Sequence, residues 1–261
     1  MSAMRTFRLT VAYDGTHYAG WQVQPGRVTL QGTLELALEK ITGVDTRVIA
    51  SGRTDAGVHA LGQVVSFRSK THLSPQVLHK ALNAELPHDM AVLDAAIVAD
   101  DFHAIVSAQR KRYRYVLHDG ATRNVFARHY AWYLHTRLDT GAMHRAAQAL
   151  VGRHDFCSFE TSGSERETSI RTVFELTLER GQGRAADLGP GQSAAEDYVT
   201  LEIEADGFLY NMVRAIVGTL VEVGQGKRSE AWPAEALVAC DRRAAGRTAP
   251  PQGLFLVRVY Y

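Results

Sequence analysis

Across the first forty or so positions the apolar residues change their spacing once, and the change marks a strand followed by a helix. Phe7, Leu9, Val11 and Tyr13 alternate with polar neighbours, the period of a half-buried strand. Leu30, Leu34, Ala37, Leu38 and Ile41 then recur at helical spacing, with Thr29 placed to cap the start and Gly43 to close the end. A strand is expected near 46–50 and another near 63–68, with the turn "SGRTDAGVHA" (51–60) between them. Ser74-Pro75 opens a second helix with Val77, Leu78, Ala81 and Leu82 on one face, and "ELPHD" closes it.

The second half repeats that order less regularly. "KRYRYVLHDG" reads as a strand with Tyr113, Tyr115 and Leu117 on one face. Asp139 caps a helix carrying Met143, Ala146, Ala147 and Leu150, ended by Gly152. "TVFELTLER" and "YVTLEIEADG" alternate as strands, joined by the Gly-, Ala- and acid-rich connector 181–197, expected to be a mobile surface excursion. A helix from about 208 to 223 buries Val213, Ile216, Val217 and Leu220, a shorter one follows Ser229, and "GLFLVRVYY" ends the chain as a strand. Strands outnumber helices and connections are both long and short. This predicts an α+β fold with a mixed, mostly antiparallel sheet. The similar order of the halves suggests two related α/β sandwiches, 1–105 and 106–261, with a cleft between them as the natural site.

At 261 residues the chain can bury a sizeable core. The first fifteen residues lack a basic-then-apolar signal region. The longest apolar stretch is interrupted by Arg214 and Glu222, which excludes a membrane span. Cys157 and Cys240 lie 83 positions apart, which argues against a zinc pair or a disulfide framework and for a reducing, cytoplasmic setting. The net charge of +1 hides a segregation. From Ile105 to Asp155 nine Lys/Arg face three acids, and from Gly183 to Asp206 one Arg faces six acids. A basic surface can therefore exist on a nearly neutral protein.

Several motifs are absent. "DTG" at 139–141 is a helix cap rather than a protease loop, the eleven histidines show no metal spacing, and no phosphate-cradling glycine motif occurs. Three stretches remain. In "SGRTDAGVHA", Asp55 is either a turn residue bonding its own backbone or a catalytic carboxylate, kept ionised by a nearby cation such as Arg53. In "RKRYRY", alternation sends Tyr113 and Tyr115 to one side and Arg112 and Arg114 to the other. The tyrosines are either core residues with polar tips or, beside cations for phosphates, platforms for nucleotide bases. In "DGFLYNMVRAIVG", Arg214 lies in an apolar helix and needs a carboxylate partner, for which Asp55 is the candidate.

Together these stretches resemble the tRNA pseudouridine synthase A family, and the likeness runs nearly end to end. It takes in "YDGTHYAGWQ" (13–22), "TLQGTLE" (29–35), "SGRTDAGVHALGQVVSF" (51–67), "FHA" (102–104), "KRYRYV" (111–116), "GRHDFCSF" (152–159), "DGFLYNMVRAIVGTL" (206–220) and "APPQGLFL" (249–256). The resemblance implies an isomerase acting on uridines 38, 39 and 40 of the tRNA anticodon stem-loop. It implies Asp55 as nucleophile on a flipped-out base, Tyr113 stacked on the uracil and Arg53 at the nucleotide or its phosphate. Arg214 would pair with Asp55 and Leu254 would close an apolar wall. It further implies two pseudo-symmetric α/β halves around a basic cleft, a homodimer, and no metal or cofactor. The alternatives left by the residues themselves are a non-catalytic RNA-binding module and a carboxylate-dependent hydrolase.

Overall fold

Alternating and helical spacings fold into the elements they predict, with informative exceptions. A computed structural model describes residues 3–161, 168–181 and 194–261. The chain divides into two units, Met1–Gln109 with Phe255–Tyr261, and Arg110–Leu254.

In the first unit β1 (Arg5–Tyr13) lies between β4 (Met90–Val98) and β3 (His59–Ser69), antiparallel to both. Opposite positions Phe7 and Phe67 stack at 5.2 Å, fixing the register of the β1–β3 ladder from its buried face. Beside β3 run the two-residue β2 (Ile49–Ala50), antiparallel, and β10 (Leu254–Tyr260), parallel through Phe255 and Leu256. The helices are α1 (Leu30–Thr42) and α2 (Pro75–Glu85). Their caps are those the sequence predicts. Thr29 Oγ1 accepts from Gly32 N, Ser74 Oγ accepts from Val77 N, and Gly43 closes α1 at φ 72°. Two details differ. The β4 strand was not anticipated, and Val77 is 49% exposed because only Leu78 and Leu82 of α2 face the core.

In the second unit β5 (Arg110–His118) pairs antiparallel with β9 (Tyr198–Ala205), β9 with β8 (Ile170–Arg180), and β8 with β7 (Gly152–Asp155). A short β6 (Trp132–Tyr133) runs parallel to the end of β5. The helices are α3 (Thr140–Ala147), capped by Asp139 as expected, α4 (Met212–Gly224) and α5 (Trp232–Ala239). On α4 only Arg214 and Glu222 escape burial, so this helix is nearly surrounded. It starts at 212 rather than 208, because Asn211 sits in the left-handed region at φ 60° and breaks the helical run. At Gly218 a Cβ would lie 1.7 Å from the Arg247 carbonyl oxygen, so glycine there lets the 246–249 backbone lie against the helix. The fold class is α+β with mixed, mostly antiparallel pairing.

The cysteines correct the sequence reading. Cys157 and Cys240 are joined in a disulfide, with Cα atoms 5.2 Å apart. Their separation of 83 along the chain carries no information about distance in a fold whose intervening strands return on themselves. Most of the acidic connector expected over 181–197 lies outside the described residues. No helix among the described residues is long and apolar enough to cross a membrane.

Candidate active site

Asp55 belongs to a turn held rigid by neutral groups. Thr54 is buried, its hydroxyl 2.8 Å from the Tyr13 hydroxyl, and its carbonyl accepts from Trp21 N at 3.0 Å. Gln63, fully buried near the middle of β3, donates through Nε2 to the Gly52 carbonyl and accepts the Ser51 hydroxyl at 2.7 Å. The Asp55 carbonyl accepts from Val58 N at 3.1 Å, closing the turn. Glycines permit this packing. A Cβ on Gly15 would sit 2.0 Å from the Val58 carbonyl oxygen, and one on Gly20 (φ +94°) 2.9 Å from that of Thr54. The "YDGTHYAGW" stretch therefore lies against the "GRTDAGV" turn backbone to backbone. Burial pushes the Tyr13 hydroxyl up to about 12, so it stays neutral. The outcome is a half-buried Asp55 on an over-determined turn, with Arg53 exposed beside it. Among the described residues Arg53 makes no ion pair.

The other candidates lie in the second unit. Tyr113 is 7% exposed and meets Phe208 edge-on at 5.0 Å, a partner the sequence reading passed over. Tyr115 is fully buried and donates its hydroxyl to the Pro250 carbonyl at 2.7 Å; burial raises its ionisation well above the usual phenol range. Both tyrosines are buried, in different surroundings. Tyr115 is a core residue with a satisfied tip, whereas Tyr113 stands next to a half-buried phenylalanine.

Arg214 Nε donates to the Ala249 carbonyl at 2.7 Å, and Ala249 N donates back to the Arg214 carbonyl at 3.0 Å. Arg214 Nη1 donates to Asn211 Oδ1 at 2.6 Å, and Asn211 Nδ2 in turn donates to Thr161 Oγ1 at 3.1 Å. The left-handed Asn211 is therefore a positioning residue. The signal for it in the sequence is an asparagine just before an apolar helix. The segment ahead of Leu254 is fixed twice, by Arg214 at Ala249 and by Tyr115 at Pro250. A Cβ on Gly253 would strike the Tyr115 ring at 2.6 Å. Leu254 itself is 6% exposed at the first position of β10.

The basic strand behaves differently from its sequence reading. Arg112 and Arg114 face Glu204 and Glu202 across the β5–β9 ladder. Arg112 bonds Glu204 through Nε and Nη2 at 3.0 and 2.9 Å, and Glu175 at 2.6 Å; Arg114 Nε donates to Glu202 at 2.8 Å. Arg110 reaches Glu204 at 3.3 Å and lies 4.3 Å over the Phe174 ring. The segregated charges of the sequence are brought together and largely cancel on this face. For metal ligation, the described residues offer one grouping, Asp155 with Cys157 and Cys240. Both sulfurs are committed to each other and Asp155 Oδ1 accepts from Cys157 N and Ser169 Oγ, a poor fit to a metal centre.

A model of the tRNA pseudouridine synthase family matches residues 9–105 and 146–261. The chain belongs to the tRNA pseudouridine synthase family. It is 45% identical over 258 residues to tRNA pseudouridine synthase A of Thermoanaerobacter sp. (strain X514), covering 99% of this chain and all of that relative. The protein of the same name from Geobacillus kaustophilus (strain HTA426) is 47% identical over 253 residues, 96% of this chain and 92% of its own length. That of Brevibacillus brevis is 44% identical over 258 residues, with 99% and 100% covered. As a pseudouridine synthase the chain is an isomerase, and a purely non-catalytic RNA-binding role is not favoured.

Proposed function

We propose that the chain converts uridines 38, 39 and 40 of the tRNA anticodon stem-loop to pseudouridine, with Asp55 as the catalytic carboxylate. The observation that carries this is the braced turn. A half-buried carboxylate is held on a loop whose backbone is fixed by Tyr13, Trp21, Gln63 and two close glycine contacts. Such rigidity is what a reacting group needs and a spacer loop does not. Tyr113 stacks on the extruded uracil, Leu254 supplies an aliphatic wall, Arg53 meets the nucleotide or its phosphate, and Arg214 supports the acid.

Isomerisation breaks the bond from ribose C1′ to N1, turns the base, joins C1′ to C5 and releases the C5 proton, while N1 takes up a proton in its place. Nothing is oxidised or phosphorylated in that sequence of bonds. A carboxylate can serve it by adding to uracil C6, by attacking C1′, or by removing the 2′ proton. Extruding the base costs a few kcal/mol. Stacking on an aromatic ring returns roughly 1–3 kcal/mol, so contacts to the stem supply the remainder.

The test is Asp55→Asn, assayed on an unmodified tRNA transcript tritiated at uracil C5. Tritium release should fall by at least about a thousandfold, while transcript binding stays within a few-fold of wild type. An Asn protein that still releases tritium as pseudouridine forms ends this reading. Free uracil with abasic RNA in the product would indicate a hydrolase instead. Arg214→Leu should lose turnover more than affinity, whereas a pure binding defect would remove it from the support of Asp55. We further place the enzyme in the cytoplasm with its tRNA, as a homodimer. Light scattering reads the dimer. Alkylation of protein taken straight from cells reads the state of Cys157 and Cys240, a bond that compartment rarely keeps.

A further inference from the structure

In the basic stretch from Ile105 to Asp155 most arginines are paired; besides Arg153, exposed on β7, two arginines of a single loop have no carboxylate partner among the described residues. Arg110, Arg112 and Arg114 meet glutamates, Arg137 meets Asp119 and Asp197, and Arg145 meets Glu230. Arg123 and Arg128 lie on the 120–131 loop joining β5 to β6, which contains no acid, and neither has a carboxylate partner among the described residues. Both are exposed, and Arg128 Nη1 donates only to the nearby Val125 carbonyl at 2.9 Å.

These two arginines line a cavity of about 430 Å³ whose wall contains no carboxylate. That volume falls in the range of small-ligand sites. Its inner side is aromatic, made by Trp132 and Tyr133 of β6 with His118 of β5. Tyr133 is in register with His118 at 5.4 Å, and His118 packs 4.7 Å from Tyr198. His118 is 2% exposed, and its Nε2 is buried without a hydrogen-bond partner. Burial lowers its pKa, so the imidazole is neutral and the cavity's charge comes from the guanidiniums. Arg247 covers the Trp132 ring at 4.8 Å, while Tyr133 keeps a half-buried face.

Two cations beside an aromatic wall, with no acid, suit a ligand that is both anionic and flat. We propose that this cavity binds one nucleotide of the RNA substrate other than the reacting uridine, with Arg123 and Arg128 on its phosphate and Tyr133 against its base. The inference rests on the substrate's being RNA, not on the role of Asp55. The cavity is separate from the proposed uracil platform. Tyr113 lies five positions back along β5 from His118, roughly 17 Å at strand rise.

The experiment compares wild type, Arg123→Ala/Arg128→Ala, Tyr133→Ala and Tyr133→Phe on the unmodified tRNA transcript, by filter binding across a salt series and by steady-state kinetics. The double variant should weaken binding about tenfold and flatten the slope of log affinity against log salt by roughly one. Its loss should fall on KM rather than kcat. Tyr133→Ala should weaken binding roughly tenfold, and Tyr133→Phe should restore it. Wild-type affinity and salt slope in the double variant would overturn the proposal. Val125 and Phe126 on the same loop are 54% and 58% exposed, so light scattering accompanies the binding. Dissociation of an oligomer, with RNA affinity per protomer unchanged, would assign the cavity to a second copy and also overturn it. A wild-type protein that needs both arginines to hold tRNA but forms no pseudouridine would remove the catalytic reading and leave this one standing.

Discussion

The two units position their chemistry by opposite means. Around Asp55 the first unit uses neutral hydrogen bonds from Tyr13, Gln63 and Trp21, with glycine approaches that leave no room for adjustment. The second unit uses charge. Arginines of β5 are bound to glutamates of β9 and β8, and Asp119 accepts from both Arg180 and Arg137. A basic run in a sequence is therefore a poor guide to where a polyanion lands. What distinguishes Arg123 and Arg128 from Arg112 and Arg114 is partners, not residue type.

The comparison can be broken at four places. The largest stability effect should come from Asp119→Ala, about 3–5 kcal/mol by denaturant titration, because it strips the acceptor from Arg180, Arg137 and Leu138 N. Burial by itself would raise the pKa of Asp119, but the Arg180 hydrogen bonds, the Leu138 amide and both arginine charges outweigh it and hold it below the ordinary carboxylate value. Its contribution is accordingly complete above about pH 4 and is lost as pH falls through the folded value. Asp119→Asn should show a shallower acid loss than wild type over that window.

Next comes Gly15→Ala, expected to cost about 3 kcal/mol and to reduce turnover as well. The added methyl meets backbone at Val58, which closes the Asp55 turn, so both readouts must move together. Tyr13→Phe should cost about 1 kcal/mol by removing the partner of Thr54. If its effect equals that of Asp119→Ala, the contrast between neutral and ionic bracing is wrong. Smallest is Arg110→Gln, about 0.5 kcal/mol or less, since its side chain is 50% exposed and Glu204 keeps Arg112.

Much of this was legible in the sequence because local chemistry decided it. Thr29, Ser74 and Asp139 cap the helices they precede, and β1, β5, β8 and β9 form where alternation predicts strands, although β9 is buried on both faces. The Asp55 turn was recognisable from its glycines and the strands around it. The braces were not, because Tyr13, Gly15 and Gly20 reach Thr54 and Val58 only after β1 and β3 pair. Glutamate pairing of the β5 arginines depends on the β5–β9 register, set by residues about ninety positions apart. Asn211 needed a backbone angle to declare itself. The cysteines were misjudged for the same reason: separation along a chain is not separation in space.

That last feature has a practical reach. The Cys157–Cys240 bridge encloses β8, β9, α4 and α5, so closing it removes freedom from the unfolded chain over an 83-residue loop. Chain-entropy reasoning puts such a tether at about 4.5 kcal/mol, comparable to the whole of the Asp119 cluster. A melting curve recorded in air and one recorded with a reducing thiol would then describe two different polypeptides.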